Sequence, residues 1–127
     1  MPPLPTARLR VLVAEDNVVN QLVARTLLER LGHVVDVVAD GRTAVTAVLA
    51  AAPPYDLVLM DCHMPVMDGY DATRAIRAGE TDRHTPVFAL SASSSDAERA
   101  AGLASGMDRY LVKPIIRQDL QEALELV

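Results

Sequence analysis

Five short apolar runs, each followed by a longer stretch with helical periodicity, recur along the 127 residues of the chain, and this alternation restricts the fold more than any other feature. A strand followed by a helix, repeated, builds a parallel sheet covered by helices on both faces. The expected strands are 9–14 (LRVLVA), 34–39 (VVDVVA), 56–60 (DLVLM), 86–91 (PVFALS) and 108–112 (DRYLV). VLVA, LVLM and VFAL are apolar at every position, as strands buried on both faces require. The second run alternates, as an edge strand can.

Between the strands, Val19, Val23, Leu27 and Leu31 recur every four residues and predict one buried stripe on a first helix. Gly32 is placed to end that helix in the left-handed conformation. A second helix is expected over about 41–51 and a third over about 70–78. A fourth begins at Ser95, where Ser95 and Glu98 have capping-box spacing, and closes at Gly106. The last runs from 117 and is expected to bury Leu120, Leu124 and Val127, with no output domain after it. MPPLPTAR at the start holds three prolines, which favour an extended spacer. The expected organisation is a linker at 1–8 and one domain at 9–127.

Size and charge narrow the function. A chain of 127 residues, 50% of them hydrophobic, suffices for one core and not for two. With 17 acidic and 12 basic residues and a formal charge of −5, the chain lacks the positive surface that nucleic acid or an anionic membrane demands. The lone Cys62 forms no internal disulfide, and no apolar run approaches the roughly 20 residues of a membrane span. A cytoplasmic protein without membrane contact of its own is expected.

Open α/β sheets bind ligands beyond the carboxyl ends of their strands. There this chain places Glu15-Asp16 after the first strand, Asp61 after the third, Ser91 after the fourth and Lys113-Pro114 after the fifth. Singly, a carboxylate after a strand is most often a helix cap, and such a lysine is solvated. Jointly, three converging carboxylates would repel by roughly 4 kcal/mol per pair at about 4 Å and an effective dielectric near 20. A cation relieves that repulsion, and hard oxygen ligands with room for water suit Mg²⁺, with Mn²⁺ as an alternative. One carboxylate, Asp61, can then attack phosphorus, while Lys113 and the cation neutralise charge on the transferred group. The Ser91 hydroxyl can donate to a third phosphoryl oxygen.

The segments VLVAEDNVVNQ (11–21), YDLVLMDCHMPVMDGYDATRAIR (55–77), PVFALSA (86–92) and GMDRYLVKP (106–114) resemble response-regulator receiver domains of two-component and phosphorelay systems. The resemblance runs from Leu9 to Val127. It implies a doubly wound five-stranded parallel sheet, flavodoxin-like in its strand order 2-1-3-4-5, with five helices. It also implies that Glu15, Asp16, Asp61 and the backbone carbonyl of His63 hold Mg²⁺, and that Asp61 is the phosphoacceptor. Lys113 would be the lysine of the site, Ser91 the switch hydroxyl and Tyr110 the switch aromatic, with a cis Lys113–Pro114 bond. The domain would phosphorylate and dephosphorylate itself without being an enzyme for an external substrate.

The implied partners are the dimerisation and phosphotransfer domain of a histidine kinase and, onward, a histidine phosphotransfer protein. No direct nucleic-acid contact is implied, and the domain is expected as a monomer or weak dimer. Its changes on phosphorylation should surface on the face made by the fourth helix, fifth strand and fifth helix. DNVVNQ and MDCHMPVMDG look most like receivers attached to hybrid sensor kinases, which can be membrane-anchored; a stand-alone regulator is the alternative.

Departures from the family pattern are small. Glu15-Asp16 stands where Asp-Asp is commoner, and His63 follows the acceptor by two residues, where its side chain can gate attacking water. An aspartate-dependent phosphatase of the haloacid dehalogenase type would carry DxD after the first strand, where this chain has EDN; a degenerate scaffold would have lost site residues. Gly69 is expected to supply a positive φ and Met67 to fill an apolar gap. Asp68 is expected to cap a helix, Cys62 to pack, and His33 and His84 to be solvated.

Overall fold

The computed structural model describes residues 8–93 and 95–127. Apart from Arg8, the expected linker lies outside the described residues. The elements alternate as β1 (Arg10–Ala14), α1 (Val18–Arg30), β2 (Val34–Val38), α2 (Gly41–Ala50), β3 (Leu57–Asp61), α3 (Gly69–Gly79), β4 (Val87–Ser91), α4 (Asp96–Ser105), β5 (Arg109–Val112) and α5 (Arg117–Leu124). The five strands form one sheet in the order β2-β1-β3-β4-β5, and every pairing is parallel. The expected doubly wound α/β architecture is the one observed. Among the described residues, no helix is long and apolar enough to cross a membrane.

Successive side chains of a strand point to opposite faces, and the core divides accordingly. Leu12, Ala14, Val58, Met60, Val87 and Ala89 pack with Ala44 and Val48 of α2 and Ala72 and Ile76 of α3. Val11, Val13, Leu57, Leu59, Phe88 and Leu90 pack with Ala24 and Leu28 of α1 and Leu120 and Ala123 of α5. The uniformly apolar strands are thus the ones covered on both sides.

Polar residues set the helix starts, as expected at Asp68 and Ser95 and also at Asn17 and Asp40. The side chains of Asn17, Asp40, Asp68 and Ser95 accept the N–H groups of Asn20, Thr43, Asp71 and Glu98 respectively, satisfying donors that the first turn leaves unpaired. Gly106 closes α4 at φ 105° in the left-handed region, and Gly32 follows α1 at φ 92°. The Lys113–Pro114 bond is cis.

Four expectations are corrected. Val19 and Val23 of α1 are exposed, and the helix buries Ala24 and Leu28 instead. Apolar residues occupy 18, 19, 22, 23, 24, 27 and 28, so periodicity offered more than one apolar face. Val127 is exposed beyond the end of α5, which buries Leu120 and Ala123. His33 is buried, and its Nδ1 accepts the Leu9 N–H at 3.0 Å; burial holds its pKa down. Gly69 has no positive φ; in that loop Val66 does, at 70°. A Cβ at Gly69 would instead lie 2.1 Å from the Asp61 carbonyl oxygen, so glycine is needed for close approach of the backbone.

Candidate functional site

Strand parity decides which side chains meet. Val11 and Val13 share a face with position 15, Leu57 and Leu59 with position 61, and Leu111 with position 113. Glu15, Asp61 and Lys113 therefore gather on the α1 and α5 side at the carboxyl end of the sheet. Ser91 follows Val87 and Ala89 to the opposite side.

The gathering is close. Lys113 Nζ lies 3.0 Å from Glu15 Oε2 and 3.1 Å from Asp61 Oδ2. Glu15, Asp16 and Asp61 each offer a carboxylate oxygen, all within 4.8 Å of one another. Glu15 and Asp61 are buried while Asp16 is exposed, so the cluster opens to solvent on one side only. Glu15 is held in place by the first turn of α1: its Oε1 accepts the Asn17 N–H and the Asn20 side-chain amide, and its carbonyl accepts the Gln21 amide at 2.6 Å. The longer Glu in place of Asp is accommodated by these contacts.

Burial pushes the Asp61 carboxyl up to about 6, and the neighbouring Glu15 adds to the rise against the His63 N–H and Lys113. Burial pulls the Lys113 ammonium down, but hydrogen bonds and charge from Glu15 and Asp61 outweigh it, and its pKa is raised. One ammonium against three carboxylates leaves the cluster short of positive charge. That deficit, the hard oxygen donors and the one open side fit a divalent cation such as Mg²⁺.

The loop after β3 is arranged around the acceptor. His63 N–H donates to Asp61 Oδ1 at 3.2 Å, and Gly69 N–H donates to the Cys62 carbonyl. Asp68 caps α3 as expected and stands outside the cluster. Met67 is partly buried against the core and Cys62 is fully buried; burial raises the Cys62 thiol pKa, so it packs, as expected.

Ser91 and Tyr110 meet at Glu98 of α4. Ser91 Oγ donates to Glu98 Oε2 of α4 at 2.7 Å, and Tyr110 OH lies 3.4 Å from the same oxygen. His63 Nε2 lies 3.2 Å from Glu98 Oε1. Hydrogen bonds from Ser91, then His63, hold the Glu98 carboxyl below its usual range. The spacing of Ser95 and Glu98 predicts a capping box. Ser95 does cap the helix, but the Glu98 side chain turns to Ser91. The signal that could have shown this is parity, which sends Ser91 toward α4.

An open parallel α/β sheet with three acids and a lysine at its carboxyl edge defines a class of phosphoryl-accepting, cation-assisted sites. Residues 11–125 match the family model described as response regulator receiver domain. The chain belongs to that family, whose members accept phosphoryl groups in two-component signalling. It is 46% identical over 126 residues to the sensor protein GacS of Pseudomonas syringae pv. syringae, covering 97% of this chain and 14% of that protein. It is 45% identical to the two-component response regulator ORR41 of Oryza sativa subsp. japonica, with 88% of each covered. Among solved structures, the receiver domain of sensor histidine kinase PA1611 from Pseudomonas aeruginosa PAO1, with magnesium coordinated in its active-site cleft, superposes with a TM-score of 0.85. That pair shares 45% identity and covers 94% and 97% of the two chains. The chain thus spans about a seventh of the GacS kinase.

Proposed function

We propose that this chain accepts a phosphoryl group from a phosphohistidine onto Asp61 and signals through the change that follows. The observation that carries the reading is the convergence of Glu15, Asp16 and Asp61 within 4.8 Å, with Lys113 Nζ 3.1 Å from Asp61. An Asp61 carboxylate oxygen attacks phosphorus, the new O–P bond forms as the donor N–P bond breaks, and the imidazole leaves as the neutral base after protonation. Lys113 neutralises charge on the transferred oxygens. Glu15, Asp16, Asp61 and the His63 carbonyl are the proposed ligands of Mg²⁺, which supplies charge neutralisation when bound; Mn²⁺ has the same oxygen preference. The domain acts on itself and turns over no external substrate.

The proposed donor is the dimerisation and phosphotransfer domain of a histidine kinase, or a histidine phosphotransfer protein. Val18, Val19 and Leu22 of α1 are 74%, 67% and 63% exposed, on the helix whose Asn20 holds Glu15. Such an apolar patch beside a reaction centre suits a helix that carries the donor histidine. Likeness to the GacS kinase supports a hybrid-kinase origin; likeness to ORR41 along nearly its whole length favours the stand-alone alternative. The proposed output face is α4, β5 and α5, where Leu103 is exposed.

Incubation with acetyl phosphate and Mg²⁺ tests the reading. A labile adduct on wild type and none on Asp61→Asn is expected. Turnover of external phosphate esters would instead support a phosphatase.

A further inference from the structure

A serine hydroxyl carries one proton and can donate it to one strong acceptor at a time. In this structure that proton goes to Glu98 Oε2 at 2.7 Å, while Ser91 Oγ accepts the Ser93 N–H at 3.2 Å. The same Glu98 oxygen lies 3.4 Å from Tyr110 OH, and its partner oxygen lies 3.2 Å from His63 Nε2. One carboxylate on the first turn of α4 therefore ties together β4, β5 and the loop after β3.

We propose that Glu98 is a latch, a positioning residue that holds the Ser91 hydroxyl away from Asp61 until a phosphoryl group competes for it. This deepens the Asp61 phosphoacceptor reading and rests on it. Donation to Glu98 and donation to a phosphoryl oxygen exclude each other, so Ser91 engages a phosphoryl group only once the Ser91–Glu98 bond has broken. Tyr110 loses its hydroxyl partner in the same event if Glu98 swings out. Beside its ring lies a cavity of about 180 Å³ lined by Ala89, Gly102, Leu103 and Met107, which gives the ring room to move. The Arg99 guanidinium, 5.2 Å from the Tyr110 ring centroid, sits on the same helix as the latch. Loss of the latch and release of Tyr110 are thereby coupled through α4.

Because a ligand favours the state it binds better, removing the latch strengthens binding of a phosphoryl mimic. Beryllofluoride with Mg²⁺ serves as the probe, with affinity read by calorimetry for wild type, Glu98→Gln and Glu98→Ala, each with Ser91 intact and in a Ser91→Ala background. Glu98 is only partly buried, in the first turn of α4, and its backbone keeps the Ser95 cap, so these variants fold. With Ser91 intact, affinity should rise about three- to tenfold, as for loss of a partly solvated charge-assisted bond. In the Ser91→Ala background the gain should vanish. Unchanged or weaker affinity overturns the latch, as does an equal gain in both backgrounds, which would mark simple removal of negative charge. Wild type binding no better than Asp61→Asn would instead overturn the Asp61 reading, and the latch with it.

Discussion

Lys113 Nζ stands 3.1 Å from Asp61 Oδ2 although Lys113 follows β5 and Asp61 ends β3, strands separated in the sheet by β4. The long side chain crosses the end of β4 and also reaches Glu15, just past β1, at 3.0 Å. One ammonium thereby holds two buried carboxylates together.

Lys113→Ala should destabilise the metal-free domain. Removing one partner of a buried ion pair costs about 3–5 kcal/mol, and because Lys113 stays 17% exposed a loss near 2 kcal/mol is expected. Urea unfolding should show it, and saturating Mg²⁺ should recover much of it by binding the folded state. A loss unaltered by Mg²⁺ would mean that the ammonium is not compensating site charge.

Asp61 behaves in the opposite sense to a salt-bridged carboxylate. Its folded pKa is raised from 3.8 to about 6, so between those values the folded state binds more protons and stability falls as pH rises. Above pH 6 the metal-free fold carries the full penalty of the buried charge. Asp61→Asn should therefore be more stable than wild type at pH 7 by about 1–3 kcal/mol, the order of magnitude of a rise from 3.8 to about 6. The advantage should shrink as pH falls through 6 and vanish below about 4, and Mg²⁺ should erase it at pH 7. Thermal melts across that pH range, with and without the metal, check the sign.

Gly69→Ala places a methyl 2.1 Å from the Asp61 carbonyl oxygen. Backbone must shift, and about 1–3 kcal/mol of stability should be lost. Since the Gly69 N–H anchors the loop at the Cys62 carbonyl, acetyl phosphate labelling of Asp61 should slow as well. A variant with wild-type stability and labelling would show that the loop moves freely.

On α1, Leu22→Glu and Val19→Glu replace residues 63% and 67% exposed, so stability should change by less than about 0.5 kcal/mol. Labelling by acetyl phosphate should be unaffected. Transfer from a phosphorylated histidine kinase domain should fall at least about tenfold, the effect of about 1.4 kcal/mol of lost docking energy. Equal transfer rates would place the docking surface elsewhere.

The strand runs, the caps at Ser95 and Asp68 and the acids at 15, 16 and 61 were legible because each depends on local pattern: period two in a buried strand, or a side chain reaching two or three residues ahead. Parity along the strands already separates Glu15, Asp61 and Lys113 from Ser91. Tertiary structure decided what local pattern leaves degenerate. Much of α1 is apolar around its circumference, and only packing against β1 and β2 selected Ala24 and Leu28 over Val19 and Val23. Capping-box spacing matched Glu98 to Ser95, yet its carboxylate went to Ser91, because a hydroxyl across the sheet edge is a partner that sequence separation conceals. Local rules fix which groups a segment can offer; long-range packing fixes which offers are taken, since each donor proton and each buried face can be used once.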